Sequence, residues 1–112
     1  MDVAVTQQGK VTVVSFTGAL DAAVAEMVGS SLDAQVRSGN TRLVADVGQV
    51  GYVSSAGLRA LVRTLKDTNR KGGDFRLANV QASLQRSLEI TGLTSLFKTY
   101  PSVEAAVASF AA

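Results

Sequence analysis

The sequence from residue 50 to residue 61 reads Val-Gly-Tyr-Val-Ser-Ser-Ala-Gly-Leu-Arg-Ala-Leu, and it joins two different sequence patterns. The apolar residues 42–47 before it are numerous enough for a buried strand. After it, Leu58, Leu61 and Leu65 recur at helical spacing, which predicts an amphipathic helix. The stretch therefore predicts a strand, a short loop and a helix in succession, as in an α/β fold.

Two serines, Ser54 and Ser55, stand between this strand and this helix. Serine is a preferred helix N-cap, because its hydroxyl accepts a hydrogen bond from a backbone N–H that the helix leaves unpaired. The start of a helix also carries partial positive charge and suits a phosphate group. From these residues alone, the pair is interpreted either as a simple cap or as a hydroxyl that can be modified. The following Ala56-Gly57 indicates a close approach of helix and sheet.

The rest of the chain alternates short apolar segments with amphipathic ones. Strands are expected at 3–5 and 11–16, joined by a turn at Gln8-Gly9 into an antiparallel hairpin, and further strands at 43–47, 75–78 and 97–100. Helices are expected from Asp21 to about Gly39, from the serine pair to about Arg70, and at 83–90 and 102–110. The buried stripe of the first helix is expected to contain Val24, Val28, Leu32 and Val36, with Met27 beside them.

This order of elements predicts the fold class. Strands that alternate with helices after an opening hairpin favour parallel crossover connections. We therefore expect an α/β fold with a single mixed β-sheet, an opening antiparallel hairpin followed by parallel βα units, packed with about four helices. Neither an internal repeat nor a linker is visible, so one domain is expected over residues 1–112.

Composition narrows the classes of function. The 112 residues contain neither cysteine nor histidine, which argues against a disulfide framework, a thiolate metal site and the usual general base. The 11 basic and 9 acidic residues give a formal charge of +2, too small an excess to indicate nucleic acid or an anionic membrane. Neither a membrane-spanning stretch nor a signal peptide is visible, so a soluble cytoplasmic protein without cofactors or metals is expected.

The segment Tyr52–Arg59 resembles the signature loop of STAS domains, specifically the bacterial anti-sigma-factor antagonists. Four further segments resemble the family pattern in the expected order, namely Gly18-Ala19-Leu20-Asp21, Gly72-Gly73, residues 88–97 and residues 101–106. The ordered set spans nearly the whole chain. The resemblance thus implies a STAS-like fold and a single STAS domain at 1–112.

The resemblance also implies roles for residues of the loop. In family members whose loop reads Asp-Ser-Ala-Gly, a partner kinase phosphorylates the serine before Ala-Gly, and Ser55 matches it. Ser54 replaces the usual aspartate and is the second candidate acceptor, whereas Ala56 removes a hydroxyl that some members have. Asp21 is expected to cap a helix and, by resemblance, to belong to the kinase-facing surface. The candidate partner-binding residues are Asp21, Ser54, Ser55, Ala56, Gly57, Arg59 and Arg63.

Basic residues recur on the predicted second helix, opposite its apolar stripe, at Arg59, Arg63, Lys66 and Arg70. They are either a solvated helix face or a docking surface for an acidic partner. Asp46, at the end of a strand, also suggests a receiver domain, but the required acidic pair after the first strand is missing. Asp46 is therefore expected to fix the following loop.

The function implied by the resemblance is that of an anti-sigma-factor antagonist and not an enzyme. The unphosphorylated chain would bind an anti-sigma factor that is a serine kinase, and so release a sigma factor. Phosphorylation of Ser55 would end this binding, and a metal-dependent serine phosphatase would restore it. Two alternatives stay open: a non-phosphorylated STAS subunit that docks on the ATPase of a lipid-transport complex, and a STAS partner in another bacterial signalling pathway. No nucleic acid and no membrane insertion are expected.

Overall fold

The computed structural model describes residues 1–111. Its strands are β1 (Asp2–Gln8), β2 (Val11–Thr17), β3 (Arg42–Gln49), β4 (Asp74–Ala78) and β5 (Thr99–Tyr100), and its helices are α1 (Ala22–Arg37), α2 (Ser55–Arg70), α3 (Ala82–Ile90) and α4 (Val103–Ala108). The strands form one sheet in the order β1-β2-β3-β4-β5. β1 pairs antiparallel with β2, and the remaining neighbours pair in parallel. The predicted mixed α/β sheet with an opening hairpin is confirmed.

Helices cover both faces of the sheet, which explains why β2 and β3 are apolar in nearly every position. Successive residues of a strand point to opposite faces. Val14 and Leu43 accordingly pack in the larger core cluster with α1, α2 and α3. Val13 and Val44 pack on the other face, with Ala106 of α4. The core is mainly aliphatic, as the composition predicts.

Several details differ from the sequence-based prediction, among them β1 and β3, which are longer than the expected 3–5 and 43–47. The buried residues of α1 are Ala25, Val28, Leu32 and Val36, whereas Val24, which was expected in this stripe, is only half-buried and Met27 is exposed. The last strand begins at Thr99 and not at 97, because Phe97 is buried in the core with its ring edge against Phe75, 6.3 Å between centroids. The last helix ends at Ala108 and not at 110, and Ser102 caps its start with a hydrogen bond from the Ala105 N–H.

Two properties of the described residues 1–111 bear on function. None of their helices has the length and apolar character needed to cross a membrane. The same residues contain no group of three or more side chains arranged to hold a metal ion.

Candidate functional site

The loop between β3 and α2 is fastened to the chain segment that follows β2. Leu20 and Val53 form a parallel bridge. The Leu20 N–H donates a hydrogen bond to the Tyr52 carbonyl at 2.8 Å, and the Ser54 N–H donates to the Leu20 carbonyl at 2.9 Å. Since α1 begins immediately after Asp21, these bonds bring the starts of α1 and α2 close together.

The two serines of this loop have different environments. Ser54 is the N-cap of α2, and its Oγ accepts a hydrogen bond from the Gly57 N–H at 3.0 Å. Ser55 is the first residue of α2 and is exposed. Within residues 1–111, its hydroxyl takes part in no hydrogen bond. The cap is thus provided by Ser54, and the hydroxyl of Ser55 faces solvent without a structural partner.

Gly57 allows α2 to approach the segment after β2. A Cβ at this position would lie 2.7 Å from Leu20 Cγ and 2.8 Å from the Leu20 carbonyl oxygen, closer than real Cβ atoms approach. Gly57 itself is buried and Ala56 is half-buried. The expected close approach is confirmed, and Gly57 positions the loop instead of offering a side chain to a partner.

Asp21 is the N-cap of α1, as predicted, and its Oδ1 accepts a hydrogen bond from the Val24 N–H at 3.1 Å. Its side chain is half-buried. Because the preceding residue, Leu20, is bonded to both Tyr52 and Ser54, the Asp21 carboxylate belongs to the same small region as the serine pair.

The prediction that Asp46 fixes the loop after β3 is not confirmed, because both of its hydrogen-bond partners lie elsewhere, one within β3 and one directly after β4. Asp46 Oδ1 accepts hydrogen bonds from the Gly48 N–H at 3.1 Å and from Asn79 Nδ2 at 3.2 Å. Asn79 adopts a φ of 61°, a left-handed conformation that asparagine tolerates better than most residues. The carboxylate of Asp46 therefore links the ends of β3 and β4.

A groove of about 840 Å³ extends along α2, between that helix and the segment after α3. Its apolar surface comes from Leu58, Val62 and Leu93, and Ser55 stands among its lining residues. The charged side chains that line it belong to α2: Arg59, Arg63, Lys66, Asp67 and Arg70. A second groove, of about 430 Å³, separates α2 from α1. Arg59 and Arg63 line both grooves.

The basic residues of α2 are all exposed, as predicted, but they differ in their ion pairs. Asp67 accepts a hydrogen bond from Arg70 at 3.2 Å and forms a longer ion pair with Arg63 at 3.8 Å. Among the described residues, Arg59 has no carboxylate oxygen within 4.0 Å. The face of α2 nearest Ser55 therefore carries an arginine whose charge is not neutralised by a neighbour.

One candidate residue was not predicted from the sequence. Tyr52 is 54% exposed, two residues before the serine pair, whereas the next residue, Val53, is buried. An exposed aromatic ring beside a loop is a common anchor in protein interfaces. In the sequence, Tyr52 beside Val53 suggests that one of the two side chains is exposed. Which of them it is follows only from the bridge between Val53 and Leu20.

Comparisons with known proteins agree with this geometry. The STAS domain family model matches residues 2–106. BtrV of Bordetella bronchiseptica, described as an anti-sigma factor antagonist, is 37% identical over 93 residues, 83% of this chain and 80% of that protein. The crystal structure of an anti-sigma factor antagonist from Mycobacterium paratuberculosis superposes with a TM-score of 0.87 at 27% identity, covering 96% of this chain and 92% of that one. The phosphorylated form of SpoIIAA, a Bacillus cell fate determinant, has the same fold, with a TM-score of 0.77 at 14% identity over 97% of this chain and 99% of that one.

Proposed function

The chain belongs to the STAS domain family, among the anti-sigma-factor antagonists, and we propose that it is a partner switch controlled by phosphorylation of Ser55. In its unphosphorylated form it binds an anti-sigma factor that is also a serine kinase, and the sigma factor is released. The kinase transfers phosphate from ATP to Ser55 and the complex dissociates. A metal-dependent serine phosphatase reverses the modification. The chain is a substrate and binding partner in the cytoplasm, without catalytic residues of its own.

The observation that carries this proposal is the difference between the two serine hydroxyls. The Ser54 hydroxyl holds the start of α2 through Gly57, so modification there would disturb the cap. The Ser55 hydroxyl is exposed and holds nothing in the described chain. It can therefore gain a phosphate without loss of a structural contact. SpoIIAA, which shares the fold, keeps it in the phosphorylated form.

The size of the electrostatic effect is sufficient for a switch. A phosphate adds about −1.5 to −2 charges at neutral pH. A carboxylate of the partner at ~6 Å would experience about 3 kcal/mol of repulsion per unit charge at an effective dielectric constant near 20. This corresponds to roughly a hundredfold loss of affinity per unit charge. A change in surface charge is thus enough, without a change in fold.

The proposed contact surface surrounds this serine. Asp21 and Ser54 lie at the two adjacent helix starts, and Arg59 and Arg63 extend the surface along α2. Gly57 lets α2 approach Leu20 and so positions the loop, and Ala56 lines the groove between α1 and α2. We add Tyr52 to this surface because of its exposed ring.

The direct test is intact-mass analysis and peptide mapping of the protein purified from its own cells. One phosphate on Ser55 is the expected result. In a matched test with the cognate kinase, S54A should still be phosphorylated, whereas S55A should not. Phosphate on Ser54 would contradict the assignment, and a loop that is never modified would favour the lipid-transport alternative.

A second test concerns binding of the anti-sigma factor. S55D places a carboxylate at the modified position and should weaken binding about 10- to 100-fold, as measured by calorimetry. S55N, of similar size but uncharged, is the matched control and should bind nearly as well as the unmodified chain. Equal affinities for the two variants would exclude a charge-based switch.

A further inference from the structure

Two basic residues of α2, Arg59 and Lys66, have no carboxylate oxygen within 4.0 Å in residues 1–111, and Arg59 is the one that lies a single turn from Ser55, whereas Lys66 lies about three turns away. Helix α2 contains four basic residues and a single acidic one, Asp67. Arg63 and Arg70 both approach Asp67, whereas Arg59 has no carboxylate within 4.0 Å in residues 1–111. Its charge is therefore available to a new anion.

Ser55 and Arg59 are four residues apart on one helix. Side chains at this spacing lie on the same face, with their Cβ atoms about 5–6 Å apart. Both residues are exposed and both line the groove of about 840 Å³. A guanidinium group can reach a phosphate at this separation and donate two parallel N–H bonds to its oxygens.

We infer that Arg59 binds the phosphate of phosphorylated Ser55 within the same chain. This inference rests on the proposed function, since it requires a phosphate on Ser55. It adds a second effect to the switch: modification introduces negative charge and also occupies an arginine that the unmodified chain offers to an acidic partner.

The other charged groups near Arg59 show why the phosphate is its favoured partner. From α1, Glu26 and Asp33 line the groove between α1 and α2, yet neither lies within 4.0 Å of Arg59. The Asp21 carboxylate at the start of α1 would repel the phosphate, and the guanidinium group of Arg59 would offset this repulsion. Arg63 is two turns from Ser55 and already has Asp67 as a neighbour.

The test uses the full chain with phosphoserine encoded at position 55, titrated by phosphorus NMR. A neighbouring guanidinium favours the doubly charged phosphate and lowers the pH at which it forms. R59Q should therefore raise this midpoint by about 0.15 to 0.4 pH unit, the shift that corresponds to one charged pair on a helix. R59K keeps the positive charge, so it should retain at least half of the lowering of this midpoint that Arg59 causes.

The matched control is R63Q, which removes the same charge from the same helix face one turn further on. It should move the midpoint by no more than about 0.1 pH unit at moderate salt, because the charge lies farther from the phosphate. If R59Q shifts the midpoint no more than R63Q does, Arg59 is not the phosphate ligand. Since the phosphoserine is encoded, this result does not depend on any kinase. The inference and the proposed function can therefore fail separately.

Discussion

Leu20 lies directly against Gly57, so that a Cβ on residue 57 would be 2.8 Å from the Leu20 carbonyl oxygen. The same carbonyl accepts the Ser54 N–H at 2.9 Å. The segment after β2 thus determines both where the loop is fastened and how closely α2 approaches. The position of Ser55 at the surface follows from a contact in the core.

The first prediction concerns this contact. G57A should destabilise the protein by about 1–3 kcal/mol, because a backbone carbonyl cannot move aside as a flexible side chain can. The control is G29A in α1, where the added methyl group would be 3.7 Å from the Ala60 Cβ, an ordinary contact. That variant should be stabilised by up to about 1 kcal/mol, since alanine favours helix. Urea unfolding measures both, and a loss of stability in G29A as large as in G57A would contradict the role of Leu20.

The second prediction separates the two serines by stability. S54A should lose about 1 kcal/mol of unfolding free energy, because the Gly57 N–H loses its capping partner. S54D can accept the same hydrogen bond and should be close to the original stability. S55A removes a hydroxyl without a partner and should change stability by less than about 0.5 kcal/mol. A larger loss in S55A than in S54A, in thermal or urea unfolding, would reverse the assignment of the cap.

Much of the fold could be predicted from periodicity alone. β2 and β3 are buried on both faces, and that environment leaves a nearly continuous apolar sequence. The caps Asp21 and Ser102 also follow from residue type and position. The prediction for Met27 was wrong. A residue three positions after Val24 fits the helical spacing as well as one four positions after it, and only the packing of the folded chain decides which side chain at the edge of the stripe is buried.

The site was less predictable, because its features depend on tertiary contacts. Either serine is a good cap by residue type, and the choice of Ser54 follows from its bond to Leu20, 34 positions earlier in the chain. That Arg59 lacks an ion pair within residues 1–111 depends on Glu26 and Asp33 of α1, which line the groove beside it without coming within 4.0 Å of it. Tyr52 is exposed because the bridge to Leu20 turns Val53 inward.

A partly buried cluster at the opposite side of the sheet from α2 was also not predicted. Arg76 Nε lies 2.9 Å from Asp74 Oδ2, and both side chains are less than one fifth exposed, at 13% and 19%. Arg76 Nη1 donates to Ser109 Oγ at 2.8 Å, and its guanidinium group lies 4.0 Å above the Phe110 ring. This arginine therefore connects β4 to the end of α4.

The third prediction follows from that cluster. R76A should destabilise the protein by about 2 kcal/mol, because charge-assisted hydrogen bonds are lost and the only cation left within 4.0 Å of Asp74 among residues 1–111 is the more distant Lys98, at 3.8 Å. R76K should recover little, since an ammonium group cannot reproduce the planar fork or its stacking on Phe110. The exposed Arg86 provides the control, and R86A should change the urea midpoint only slightly. An equal effect of R76A and R86A would show that the cluster adds no stability.

The last prediction concerns association with the anti-sigma factor. The double variant R59E/R63E reverses the charge of α2 beside Ser55, so an acidic partner should approach more slowly. At low ionic strength we expect the association rate constant to fall about 10-fold or more, with a smaller difference at high salt. The control K10E/R42E changes the net charge equally, near the start of β3 and away from the serine loop, and should slow association much less. Stopped-flow measurements decide the matter: equal rates for the two double variants would indicate that only total charge counts and that α2 is not the docking face.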